Sequence, residues 1–120
     1  MSIDILLIDD SEMHVSTLIK LLEVRGYSAE AVLNPAEALS VIESRNPRLV
    51  ILDIMMPGID GLSLLKKIKE NPATSDVPII VFSGKMFPPE KKKALALGAE
   101  KFLIKPMSSA DLLEELKPFL

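Results

Sequence analysis

A chain of 120 residues, 48% hydrophobic and 26% charged, has the size and composition of one folded domain with one core. Its formal net charge of −3 offers no basic excess to neutralise phosphates, so direct nucleic-acid binding is not expected. The absence of cysteine excludes disulfides and zinc–thiolate sites and fits the cytoplasm; no apolar run reaches the ~20 residues that span a bilayer, and Asp4 lies too near the start for a signal peptide.

With only one Tyr and four Phe, the core must be largely aliphatic. In chain order, Ile3 to Ile8 reads as a buried strand, because its apolar residues run without alternation. Val15, Leu18, Ile19 and Leu22 then recur at helical spacing, and Gly26 follows as a stop. Ser28 to Val32 is a weaker strand, expected near an edge of the sheet. Asn34, Pro35 and Glu37 read as an N-cap, a proline at the first helical position and a reciprocal capping carboxylate. That second helix ends before Pro47. Leu49 to Leu52 is a third strand, and Leu62, Leu65 and Ile68 mark a third helix that stops before Pro72. Ile79 to Phe82 is a fourth strand. Pro89 opens a fourth helix, with Leu95 and Leu97 near its end and Gly98 closing it. Phe102 to Ile104 is the fifth strand. Ser108 and Asp111 then form a capping box for a helix carrying Leu112, Leu113 and Leu116.

This is a strand–helix alternation repeated five times, with no linker or internal repeat. It predicts one α/β domain over residues 1–120, with a parallel sheet covered by helices on both faces. Ligands of such open sheets lie at the carboxyl ends of the strands. Those ends carry Asp9 and Asp10, then Asp53, Ser83 and Lys105. Close carboxylates repel and raise one another's pKa unless a cation joins them. Oxygen donors select a hard divalent ion, and Mg²⁺ is the ordinary cellular one. Three carboxylates, one Lys and one Mg²⁺ sum to about zero charge, so the pocket can admit an anion. Asp53, ending its strand, can act as a nucleophile toward phosphorus.

The segments Leu7-Ile8-Asp9-Asp10, Val50 through Gly61, Val81-Phe82-Ser83-Gly84 and Leu103-Ile104-Lys105-Pro106 resemble, in order and spacing, the motifs of response-regulator receiver domains. The resemblance covers essentially the whole chain. It implies a flavodoxin-like doubly wound (βα)5 fold with strand order 2-1-3-4-5. It implies that Asp53 is the phosphoacceptor, fed by a histidine kinase or histidine phosphotransfer protein. Asp10, Asp53 and the backbone carbonyl of Met55 would bind Mg²⁺, with Asp9 acting through water. Ser83 and Lys105 would hold the phosphoryl group, and the Lys105–Pro106 bond would be cis. Phe102 takes the aromatic switch position, where many members carry Tyr; without a hydroxyl, its signal must rest on packing. Met55 and Lys85 match the positions that tune dephosphorylation. The output would be an unidentified partner or a fused domain.

Other residues have simpler readings. Gly61 reads as a backbone device at the start of the third helix. His14, the only histidine, reads as a surface helix residue, because no second imidazole or thiolate accompanies it. With Met13 it lies on the first helix, where family members often meet their kinase. Lys91, Lys92 and Lys93 read as a solvated helix face. Met86, Phe87, Pro88 and Pro89 form an apolar loop, suited equally to packing or to a partner. Two competing functions are open to test. A haloacid-dehalogenase-like phosphatase also places an Asp after an apolar strand, but needs a second acid two residues on, where this chain has Met55. A receiver-like interaction module working without phosphorylation would not need Asp9, Asp10, Asp53 and Lys105 together.

Overall fold

The computed structural model describes residues 2–56, 59–84 and 88–120. Among these, five strands form one parallel sheet: β1 (Ile5–Ile8), β2 (Ala29–Val32), β3 (Leu49–Leu52), β4 (Ile79–Ser83) and β5 (Lys101–Ile104). Their order is β2-β1-β3-β4-β5. The helices between them are α1 (Glu12–Val24), α2 (Ala38–Arg45), α3 (Gly61–Glu70), α4 (Pro88–Ala96) and α5 (Ser109–Leu116). The fold is the doubly wound α/β arrangement expected.

The continuous apolar strands divide by the pleat, since successive side chains point to opposite faces. Leu6, Ile8, Val50, Leu52, Ile79, Val81 and Phe102 pack on one face with residues of α2, α3 and α4. Ile5, Leu7, Leu49, Ile51, Ile80, Phe82 and Leu103 pack on the other, against α1 and α5. β2 lies at an edge, and three of its four residues are only half-buried.

Several local expectations shift. β1 begins at Ile5 rather than Ile3, whose amide instead donates to the Arg45 carbonyl. Pro35–Glu37 is a short 3-10 turn that precedes α2. Asn34 Oδ1 does accept, from the Ala36 amide at 3.1 Å, but Glu37 makes no reciprocal cap: its backbone N–H donates to the Asn34 carbonyl, and its side chain makes no capping bond to α2. The tighter turn changes which amides are left over. α4 begins at Pro88, and it buries Ala94, whereas Leu95 is exposed. The Ser108 cap of α5 is present, its Oγ accepting from the Asp111 amide at 3.1 Å. Gly26 and Gly98 have φ of 89° and 112°, the left-handed conformation suited to a helix stop.

One element has no counterpart in the hydrophobic pattern. Met55–Met56 pairs antiparallel with Ile59–Asp60, forming a short ribbon between β3 and α3. Asp60 then caps α3, accepting from the Leu62 amide at 3.0 Å. Gly61 follows at a close approach of two backbones: a Cβ added there would lie 2.2 Å from Ile54 Cα. Pro57 and Gly58, with the calls made on Lys85, Met86 and Phe87, lie outside the described residues.

Gly61→Ala forces the residues next to Asp53 away from α3. We expect a loss of about 1–3 kcal/mol, the usual scale of overpacking, read as a lower urea midpoint with unchanged slope.

Candidate functional site

The sheet registers decide which side chains meet. Ile8 pairs with both Val32 and Leu52, so β1 and β3 end at one level. The backbone continues that pairing one step further. The Asp9 amide donates to the Val32 carbonyl at 3.2 Å, and the Asp53 amide donates to the Ile8 carbonyl at 2.9 Å. On the other side Ser83 pairs with Ile104, and the Lys105 amide donates to the Ser83 carbonyl at 2.8 Å. All five polar residues predicted at the strand ends therefore share one edge of the sheet.

Their side chains converge. One oxygen from each of Asp9, Asp10 and Asp53 lies within 4.8 Å of the others. Asp9, Asp53 and Ser83 are buried, whereas Asp10 is exposed. Lys105 Nζ reaches across the edge, 3.5 Å from Asp53 Oδ2 and 3.3 Å from Asp9 Oδ2. It also lies 5.3 Å from the centroid of the Phe82 ring, whose face favours a cation. The Lys105–Pro106 bond is cis. Phe102 is buried in the sheet face that packs on α3 and α4. Met55 contributes its backbone to the ribbon beside Asp53.

His14 departs from its reading as a surface residue. Ser11 caps α1, its Oγ accepting from the His14 amide at 3.3 Å. The cap sets His14 in the first turn, facing the strand ends. Its side chain is only 29% exposed, and Nδ1 lies 2.5 Å from Asp9 Oδ2. The ring also packs near Phe82, with centroids 6.0 Å apart. The available signal was positional: a capping Ser two residues after Asp9 fixes the direction of the helix. Residue type alone gave none, because a lone histidine has no metal partner in the sequence.

Electrostatically, Asp9 differs from the expectation of mutually raised carboxyls. Burial pushes its pKa up. The Ser11 amide, the His14 ring and the Lys105 ammonium together outweigh burial and hold it below the ordinary carboxylate value. Its contribution to stability is therefore present above the unfolded pKa of about 3.9 and is lost as pH falls through the lower folded value. Asp10 is different: among the described residues no hydrogen bond or ion pair reaches its carboxylate.

The donor set fits a hard divalent cation. The trio offers carboxylate oxygens only, the ligands that Mg²⁺ prefers. Three negative charges against one ammonium also leave an excess that a divalent ion cancels.

A family model described as the response regulator receiver domain matches residues 5–117. The phosphate regulon transcriptional regulatory protein PhoB of Pseudomonas aeruginosa is 34% identical over 116 residues, which is 97% of this chain and 51% of that protein. Response regulator MprA of Mycobacterium tuberculosis is 33% identical over 120 residues, 100% of this chain and 51% of that protein. The chain thus spans about half the length of these curated relatives. Among solved structures, chemotaxis protein CheY4 of Vibrio cholerae superposes with a TM-score of 0.90 at 26% identity, covering 100% of both chains. The signal receiver domain of a DNA-binding response regulator from Colwellia psychrerythraea gives 0.88 at 30% identity, covering 98% of this chain and 97% of that one.

The two neighbouring aspartates are expected to respond oppositely in EDTA near neutral pH. Asp9→Asn lowers stability, and the difference from wild type fades in acid as the Asp9 carboxyl is protonated. Asp10→Asn raises stability by on the order of 0.5 kcal/mol, the scale of exposed charge interactions. Magnesium at about ten times its dissociation constant adds roughly 1.4 kcal/mol to the wild type, and Asp10→Asn loses most of that gain. Urea melts with and without magnesium read all of these values; a destabilised Asp10→Asn in EDTA contradicts the repulsion argument.

Proposed function

Because the chain belongs to the response regulator receiver domains, we propose that it is a two-component switch that accepts a phosphoryl group on Asp53 from a phosphohistidine of a histidine kinase or phosphotransfer protein. The observation that carries this reading is the position of Lys105, its ammonium within 3.5 Å of Asp53 and on the same edge as the acidic trio. An Asp53 carboxylate oxygen attacks phosphorus, a P–O bond forms, and the P–N bond to the donor imidazole breaks, its electron pair leaving with the imidazole. Lys105 neutralises phosphoryl oxygens as negative charge shifts onto them. The Ser83 hydroxyl, buried at the end of the neighbouring strand, donates to one of them. Asp10, Asp53 and the Met55 carbonyl would hold Mg²⁺, with Asp9 acting through water. The ion, when bound, supplies further positive charge to the phosphoryl oxygens. The domain works as a switch rather than a turnover enzyme, its only catalysis being its own phosphorylation and slow autodephosphorylation.

Output follows from Ser83 and Phe102. Drawing the Ser83 hydroxyl toward a phosphoryl group vacates space that Phe102 can enter, changing the surface of α4 and β5. The two states must then lie within a few kcal/mol of each other. The donor meets α1, where Met13 is 81% exposed beside the site. A groove between α1 and α5, lined by Thr17, Leu21, Met107 and Leu112, opens next to it. PhoB is named a transcriptional regulator; here the output is a fused domain or a separate partner. A cytoplasmic location follows from such a donor. No described helix is long and apolar enough to cross a membrane.

Incubation with acetyl phosphate and magnesium is expected to add one phosphoryl mass, absent in Asp53→Asn. Equal labelling of that variant defeats the assignment, and an unlabelled wild type that also resists its kinase favours the phosphorylation-independent module. Beryllofluoride with magnesium is expected to shift amides of α4 and β5; shifts confined to the strand ends refute the Ser83–Phe102 coupling.

A further inference from the structure

His14 occupies a position that the site's motifs do not include. Its Nδ1 lies 2.5 Å from Asp9 Oδ2 and 3.2 Å from Lys105 Nζ. One ring nitrogen presents either a proton or a lone pair, so Nδ1 serves one of these neighbours at a time. The shorter distance assigns its proton to Asp9. The other oxygen, Asp9 Oδ1, accepts from the Ser11 amide at 3.0 Å. The start of α1 therefore supplies a donor to each oxygen of this buried carboxylate.

Lys105 Nζ lies 3.3 Å from the same Asp9 Oδ2, so lysine and histidine both approach one oxygen, which has a lone pair for each. Lys105 Nζ also stands 3.5 Å from Asp53 Oδ2, so it serves both carboxylates at once. A buried carboxylate deserted by its lysine needs another donor. His14 is that donor, and the Phe82 ring packs near both groups.

We propose that His14 is a positioning residue: its Nδ1–H holds Asp9 in the orientation the cation site uses and keeps that carboxylate satisfied when Lys105 turns to the phosphoryl group on Asp53. The second half rests on the phosphoacceptor reading above; the first does not.

The test is a double-mutant cycle. The magnesium dissociation constant is read from amide shifts of residues 9–11 in wild type, His14→Leu and His14→Asn, each with and without Asp9→Asn. Labelling by acetyl phosphate is timed separately at saturating magnesium. His14→Leu is expected to weaken magnesium binding about tenfold and to slow labelling by a similar factor, the usual scale for removing a group that orients a ligand. His14→Asn, whose amide N–H can stand near the place of Nδ1–H, recovers most of both. With Asp9→Asn present, His14→Leu changes neither, because the two residues act as one unit. An unchanged dissociation constant in His14→Leu overturns the proposal. So does an equal loss with and without Asp9→Asn, or a loss in His14→Asn as large as in His14→Leu, since each describes a side chain that only fills space. A wild type that binds magnesium yet is labelled neither by acetyl phosphate nor by its kinase sinks the phosphoacceptor reading, while the dissociation constants still decide the role of His14 at Asp9.

Discussion

The ammonium of Lys105, shared between Asp9 and Asp53, is the interaction on which the site depends. Two carboxylates buried at adjacent strand ends repel each other, and repulsion grows as water is excluded. The ammonium between them offsets that repulsion where β1 and β3 end side by side. Lysine suits the position because its charge is compact and its stem is long. It reaches from the end of β5 across β4 to the opposite side of the edge.

Everything else in the fold serves that convergence. Register brings Ile8 level with Leu52 and Ser83 level with Ile104, so the residues that follow stand together. A slip of one residue in β3 would turn Asp53 to the other side of the sheet and expose apolar side chains on both faces. The two core layers, one under α1 and α5 and one under α2, α3 and α4, make such a slip costly. Precision at the edge is therefore inherited from aliphatic packing in the middle. Gly61 adds a second constraint, letting α3 start against Ile54, one residue beyond Asp53.

The edge also carries the chain's local compromises. Asp10 is held near two other carboxylates with no partner among the described residues, whereas Asp9 is held by an amide, an imidazole and an ammonium. One carboxylate is fixed by its donors, and the other is exposed to solvent. Proteins depart from local stability rules where function needs it. Here the departure is confined to the carboxyl end of the sheet, where Asp10 is exposed and Asp9 and Asp53 are buried.

Much of this was legible in the residues. Uninterrupted runs such as Leu49 to Leu52 identify strands buried on both faces, because each residue has a hydrophobic destination whichever way it points. The stops at Gly26 and Gly98 and the cap at Ser108 are local backbone chemistry, set by residues close in sequence. The chemical types at the strand ends, and their resemblance to a known set of motifs, pointed to the same edge. The antiparallel ribbon at Met55–Asp60, the 3-10 entry to α2 and the burial of Ala94 in place of Leu95 were not legible. Each depends on which neighbour lies opposite, and that is a tertiary fact. His14 is the sharpest instance. As a residue type at helical spacing it is indistinguishable from a solvated side chain. Only when α1 packs on β1 and β5 brings Lys105 across does it come within 2.5 Å of Asp9. The sequence by itself determined which groups can carry charge and where each strand delivers them, because those properties are local; the tertiary structure alone decided which charges become partners, because pairing depends on distance through space.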